Sequence, residues 1–246
     1  MGKLSAIGAR FKAGKHWKGM MKSNATHDDD RFTLGILNMA DAARFLAIKR
    51  QTFHRWAKDY ERGDALIHVV AAPARKANVS FIALTEAYVL EALRDAGVHI
   101  RRIRPALDAL QKEFGREYVL TAPNLATDGI DVLWDFSKSR AGAGLIEARS
   151  GQNVIREIVQ DYIQYISWDG GDVPYQLELR QWAPAKVVVD PRYGFGQPRF
   201  GTAGPRVADV AAMLRAGEPG EVVADEFAIS REEVRTAARV LLGRAA

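Results

Sequence analysis

The stretch Met39–Tyr60 constrains this chain more than any other: two helix-forming runs are separated only by Ala47-Ile48-Lys49. In the second run, about Arg50 to Tyr60, Phe53, Trp56 and Tyr60 recur at i, i+3 and i+7 and fall on one face. Gly63 supplies the stop. For two such helices to cross closely, the first must be small on its inner face, which Ala40 and Ala43 provide. The turn needs one buried apolar anchor, and Ile48 is placed for it. Phe53, Trp56 and Ala57 can bury, while Lys49, Gln51, Thr52, His54, Arg55 and Lys58 stay near the outer or N-terminal side.

Those outward side chains have the chemistry of DNA contacts. Arginine grips guanine O6/N7, glutamine pairs with adenine, and threonine and lysine suit phosphates or base edges. The bland alternative is a surface helical hairpin with solvated cations. The next segment favours the first reading. Ala65–Ala71 carries Ile67, Val69 and Val70, a turn sits around Pro73-Ala74-Arg75-Lys76, and Val79-Ser80-Phe81 comes after. This reads as two short strands with Arg75 and Lys76 at the tip, the form of a wing laid beside the phosphate backbone. Charge agrees. Residues 1–115 carry 20 Lys and Arg against 12 Asp and Glu, residues 116–189 carry 7 against 10, and residues 190–246 carry 8 against 8. The basic excess of a chain with net charge +5 lies in the front.

With 246 residues, 48% hydrophobic and 26% charged, the chain is long enough for two or three globular units. No apolar run approaches the roughly 18 residues of a membrane-spanning helix. The absence of cysteine excludes disulfides, thiol chemistry and thiolate zinc sites, and fits a cytoplasmic location. Residues 1–31 read as a flexible basic arm, with Lys3, Arg10, Lys12, Lys15, Lys18 and Lys22 among Gly2, Gly8, Gly14 and Gly19. The arm has no apolar core of a secretory leader. It either scans phosphates or, since Met20 and Met21 are candidate initiators, is a leader without a role; the second reading is the plainer. His27-Asp28-Asp29-Asp30 reads as a solvated run, not a metal site.

Further along, a helix is expected over Ile82–Ala96 with Gly97 as its stop, and another over His99–Phe114. In the latter, Ile100, Ile103, Leu107, Leu110 and Phe114 form one seam, and Pro105 kinks the helix or shifts its start. The seam serves either as a dimer surface or as packing for the domain's own core. Asp128-Gly129 before Ile130–Phe136 reads as a hairpin with an alternating second arm. Ser139–Gly144 is a loop, Val154–Ile166 an amphipathic helix, and Tyr175–Arg180 and Lys186–Val189 strands. Gly- and Pro-rich sequence from Asp190-Pro191 to Pro205 leads to three helices over Val207–Ala216, Pro219–Glu226 and Arg231–Leu242. Ser230 and Glu233 match a capping box. The expected fold is therefore α+β: a winged helix-turn-helix head at 32–116, a small α+β middle module at 117–189, and a short three-helix domain at 190–246.

Asn38–Tyr60 (NMADAARFLAIKRQTFHRWAKDY) resembles the MerR-like winged helix-turn-helix class, with its apolar anchor in the turn and an aromatic residue late in the second helix. Thr85–Leu107 is similar to the helix pair that follows the wing in that class. Lys49-Arg50 departs from its usual small polar residues at the helix start. Val187–Leu241 resembles a short antitoxin-associated domain: Asp-Pro, Gly-Gln-Pro, Gly-Thr, Arg-Ala-Gly-Glu and Ser-Arg-Glu-Glu-Val come in the expected order. That family places an arginine directly after Gly-Thr, whereas here Ala203-Gly204-Pro205 precede Arg206. Together the two ends resemble VapB-type antitoxins of actinobacterial toxin–antitoxin pairs. The resemblance implies a PIN-domain ribonuclease toxin as partner, and autoregulation by binding DNA at the chain's own operator. A homodimer is expected because paired heads read paired half-sites. The alternative is a freestanding regulator whose middle module senses a ligand; a third possibility is an adaptor for an acidic protein.

No catalytic constellation emerges, and neither cofactor nor metal is expected. Asp128, Asp131 and Asp135 read as a solvated strand edge. Gly194-Phe195-Gly196 lacks the strand–glycine–helix setting of a nucleotide loop, and the five histidines form no i, i+4 pair. Trp134, Trp168, Trp182, Tyr162 and Tyr165 suit either a core or a protein contact surface.

Overall fold

Polar caps set where the helices begin. In the computed structural model, which describes residues 29–58, 65–72, 76–147 and 150–243, Asp29 accepts the N–H of Arg31 and starts α1 (Asp30–Thr33). Residues 1–28 of the expected basic arm lie outside the described residues. Asn38 accepts the N–H groups of Ala40 and Asp41 at 3.0 and 2.9 Å and starts α2 (Met39–Phe45). After α3 (Arg50–Trp56), Ser80 accepts the Ala83 N–H at 3.2 Å and starts α4 (Phe81–Asp95). Each cap satisfies donors that the first helical turn leaves unpaired, which is worth about 1 kcal/mol.

Helix α4 is the centre of the molecule. Every residue from Phe81 to Leu90 is buried, so it is surrounded on all sides. Against it pack α1, α7 (Gln152–Ile163) and the 3-10 turn Val119–Thr121, while α6 (Ile130–Ser137) packs on α7 and on α5 (Arg104–Phe114). Tyr88 donates from its hydroxyl to the Tyr162 carbonyl at 3.3 Å, and the Tyr162 hydroxyl donates to Asp95, tying α7 to α4. An antiparallel sheet in sequential order follows: β1 (Ile166–Trp168), β2 (Pro174–Glu178), β3 (Val187–Val189) and β4 (Arg199–Phe200). Its register pairs Ile166 with Leu177, Leu177 with Val189, and Val187 with Phe200. The chain closes with α8 (Val207–Arg215), α9 (Gly220–Phe227) and α10 (Arg231–Leu242). The reciprocal Ser230–Glu233 capping box is formed.

Several expectations are corrected. The hairpin at Asp128-Gly129 does not exist: Leu125–Gly129 is a π turn that runs straight into α6. Gly129 has helical φ −64°, not the left-handed backbone of a tight hairpin, and Ile130 and Leu133 are buried at i, i+3. The wing is not a two-stranded ladder among the described residues. Val79 instead forms a bridge with Leu37, exchanging bonds of 2.9 and 3.3 Å, and a single bond from the Val70 N–H to the Asn78 carbonyl (2.8 Å) joins the two arms. Phe81 belongs to α4, because the Ser80 hydroxyl caps there. The helix expected from His99 begins at Arg104 after a 3-10 turn (Ile100–Arg102). Pro105 sits in its first turn, where the missing N–H costs no bond.

Ile103, Leu107 and Leu110 of the seam are buried within the chain's own core, which removes it as a dimer surface. The helix expected to end at Ile166 stops at Ile163, and Ile166 opens β1. Strands β1 and β4, three and two residues long, are too short to show alternation in sequence.

Candidate nucleic-acid interface

Helix α2 turns into α3 through Leu46-Ala47. Ala47 takes a left-handed φ of 54°, and Ile48 comes next, its N–H bonded to the Ala43 carbonyl at 2.8 Å. Ile48 is buried, as the anchor role requires. The small inner face of α2 is Ala42 and Ala43; Ala40, expected there, is half-buried. Phe53, Trp56 and Ala57 are buried against the core, and the Trp56 carbonyl accepts the N–H groups of Leu66 and Ile67 at 2.8 and 3.2 Å. Tyr60 and Gly63 lie outside the described residues.

With that face fixed inward, the opposite face points to solvent. Gln51, His54, Arg55 and Lys58 are all exposed and spaced i, i+3, i+4 and i+7, so they form one stripe. Lys49 is exposed and Thr52 half-buried at its edge. Arg50, outside the set expected from sequence, is exposed beside them; a second cation at the helix start was its signal. No carboxylate lies between Lys49 and Lys58, and none of the cations there has an ion-pair partner among the described residues. Lys76 is exposed, and Arg75 lies outside the described residues.

The reader is braced from behind. Phe45 ends α2, and its carbonyl, left without a helical partner, accepts the Trp182 indole N–H at 3.1 Å and the Gln181 amide. Beneath the returning chain, the buried Glu86 carboxylate accepts the His68 backbone N–H at 2.8 Å and sits 2.7 Å from its Nδ1. The His68 ring also meets Tyr118 edge-on, at 4.7 Å between centroids. Position 68 is thus pinned to α4.

Asp131 and Arg206 are tied into the fold. Asp131 lies on a helix, not a strand edge, and accepts from Gln152 at 2.5 Å and from Arg156. Arg206 donates to Asp209 at 2.7 and 2.9 Å within the first turn of α8. Trp182 is fully buried, and Trp168 donates to the Thr121 carbonyl at 3.2 Å, so both belong to packing. Among the described residues no group of three or more His, Asp or Glu side chains could hold a metal, and no helix is long and apolar enough to cross a membrane.

Residues 36–107 match the family described as "Putative DNA-binding HTH domain", and residues 187–239 match a protein family of unknown function, DUF433. The crystal structure of Rv2018 from Mycobacterium tuberculosis superposes with a TM-score of 0.68 at 35% identity, covering 84% of this chain and 99% of that one. The uncharacterized protein Rv2308 of the same organism is 26% identical over 80% of this chain and 86% of its own length. The M. tuberculosis protein named "Putative antitoxin VapB45" is 40% identical over 226 residues, 84% of this chain and 94% of its own length. A helix-turn-helix head on an α+β body, aligned nearly end to end with that relative, makes this chain a member of the VapB45 antitoxin family.

Proposed function

We propose that this chain is a DNA-binding antitoxin: its head reads its own operator, and the rest of the chain binds and neutralises a PIN-domain ribonuclease toxin. The observation that carries the reading is the exposed stripe Gln51, His54, Arg55 and Lys58, held outward by the buried Phe53–Trp56 face. In a MerR-like arrangement, Lys49, Gln51, Thr52 and His54 would meet base edges or phosphates at the start of the helix. Arg55 and Lys58 would follow the groove, and Arg75 and Lys76 would touch the backbone through the wing. The working chain is a cytoplasmic homodimer, because two heads on a two-fold axis read two half-sites.

Occupancy of the operator represses the chain's own promoter, and the toxin partner comes from the same operon. The test has two arms. Purified protein should shift DNA from upstream of its own gene, with affinity falling steeply as salt rises. Co-expression with the neighbouring PIN-domain gene should relieve growth arrest and yield a co-purifying complex. Salt-independent binding, or a toxin that arrests growth regardless, sinks the corresponding half.

A further inference from the structure

Two segments distant in sequence meet at the C-terminal end of α4. The chain after Gly97 runs antiparallel to residues 145–147. The His99 N–H donates to the Leu145 carbonyl at 2.7 Å, the Glu147 N–H donates to the Gly97 carbonyl at 3.0 Å, and Val98 bridges Ile146. Arg102 then donates to the Ala143 carbonyl at 2.8 Å. Loop 138–144 is also closed on itself, since the Ser139 hydroxyl accepts the Gly142 N–H at 3.1 Å. At Gly144 the backbone is left-handed, φ 73°, and an added Cβ would stand 2.7 Å from Arg102 Nη1, so glycine is needed where the segments touch. The middle module's loop is thus fastened to the turn of the head that leads into α5.

This corner is basic and almost without counter-charge. Arg101, Arg102, Lys138 and Arg140 are exposed, and Arg104 is half-buried. Residues 96–107 and 136–146 hold no Asp or Glu. The carboxylates at its margins are Asp95 and Glu147, which line a cleft with Arg94 beyond Gly97, and Asp108, one turn after Arg104. Lys138 reaches Asp135 at 3.5 Å, but none of the four arginines has an ion-pair partner among the described residues. By contrast Arg94, Arg116, Arg156 and Arg192 each pair with a carboxylate. Four guanidinium groups confined to one turn and one loop repel each other, and a polyanion relieves that repulsion.

We propose that loop 138–144 and the turn at 99–104 form a second DNA contact, one that grips the phosphate backbone, so that the middle module holds DNA together with the head. What the corner lacks identifies its ligand. Neither segment carries Phe, Tyr or Trp on which single-stranded bases could stack. No large apolar side chain is exposed there to form the core of a protein interface. Unpaired guanidinium groups suit the oxygens of phosphate. Reach allows both contacts on one duplex. The Trp56 carbonyl at the end of α3 holds Ile67, and the next residue, His68, is bonded to Glu86. From Glu86 to Asp95, just before the turn, α4 advances about 14 Å. One turn of duplex spans about 34 Å. The inference rests on the reading of the chain as a DNA-binding antitoxin.

Titrations of the full chain across a range of salt test it, against a duplex from upstream of its own gene and a scrambled duplex of equal length. Arg101→Ala with Arg140→Ala should leave the unfolding midpoint unchanged, because Arg102 and not these two holds the loop. Affinity for both duplexes should fall together, roughly tenfold or more at low salt, and the slope of log affinity against log salt should flatten by about 2. The preference for upstream over scrambled DNA should survive, since phosphate contacts carry no sequence information. Arg101→Lys with Arg140→Lys keeps the charge and should restore the slope. An unchanged slope in the alanine pair, a lysine pair with the alanine slope, or a larger effect on single-stranded RNA of the same sequence overturns the corner as a duplex contact. A wild type that binds both duplexes equally, with a slope still dependent on these arginines, overturns the operator reading alone. A wild type that binds neither overturns both.

Discussion

The indole N–H of Trp182 reaches the carbonyl of Phe45 at 3.1 Å, and the two rings stack with centroids 5.5 Å apart. This one side chain joins the sheet region to the last residue of the first reader helix across 137 positions of sequence. Trp182→Ala opens a cavity at a fully buried site and should destabilise the protein by about 3–5 kcal/mol. Trp182→Phe keeps much of the stacking area, and the Phe45 carbonyl retains the Gln181 amide as donor, so the loss should be about 1–2 kcal/mol. Urea denaturation of both variants measures the difference. Equal losses would show that the indole N–H, which both variants lack, and not the stacked ring holds the reader in place.

Arg55 and Lys58 stand on the outward stripe with nothing paired to them among the described residues. Arg55→Ala with Lys58→Ala should leave the unfolding midpoint within about 0.5 kcal/mol of wild type, as exposed substitutions do. Affinity for upstream DNA should fall. Each position that grips a phosphate in the wild type should, once truncated, flatten the slope of log affinity against log salt by about 1. Undiminished binding by the double variant would move the DNA site off α3.

The buried Glu86 carboxylate tests the brace on the segment that follows α3. Glu86→Ala removes the acceptor of the His68 backbone N–H and the carboxylate beside its Nδ1, and should cost about 1–3 kcal/mol. Hydrogen exchange should quicken first at residues 66–70, because removing a local tie opens the segment it held. Glu86→Gln keeps an acceptor for the His68 N–H and should restore most of the protection.

How much of this was legible in the sequence depends on the distance over which each feature is decided. The reader was legible because Phe53, Trp56 and Ile48 are placed by local periodicity and one short turn. Capping at Ser230 was legible for the same reason. The α6 segment was not: Ile130-Asp131-Val132-Leu133 alternates like a strand, and only burial of Ile130 and Leu133 beside α5 and α7 makes it a helix. The wing strands failed similarly, since the partner of Val79 is Leu37, forty-two residues earlier, rather than its hairpin neighbour. The exposed stripe on α3 followed from the buried one, but the basic corner at Arg101, Arg102 and Arg140 could not, because only the fold brings the turn at 99–104 against loop 138–144.

Ala47 makes the reader's turn with φ 54° and an exposed side chain. A left-handed backbone costs an alanine about 1 kcal/mol that glycine does not incur. Greater freedom of glycine in the unfolded chain offsets part of that gain. Ala47→Gly should therefore raise stability by about 0.5 kcal/mol or leave it unchanged, with no loss of DNA affinity. A clear drop in the unfolding midpoint would mean that the methyl group packs in a way its exposure denies.

Glu91 gives a pH dependence with a defined sign. Burial raises its pKa above 4.5; Arg94 opposes the shift and Asp95 adds to it, while Oε2 is buried with no hydrogen-bond partner among the described residues. The folded state then holds this proton more tightly than the unfolded chain. The associated stability is fully present below 4.5 and is lost as pH rises through the elevated folded value. Glu91→Gln removes the titration, so the variant should gain on the wild type as pH climbs from about 4 through the elevated folded value, at a rate of up to roughly 1.4 kcal/mol per unit. Paired denaturant titrations at a series of pH values measure the gap. A gap that stays flat or narrows would mean that Arg94 holds the carboxylate charged in both states and that burial at this position is not the dominant influence.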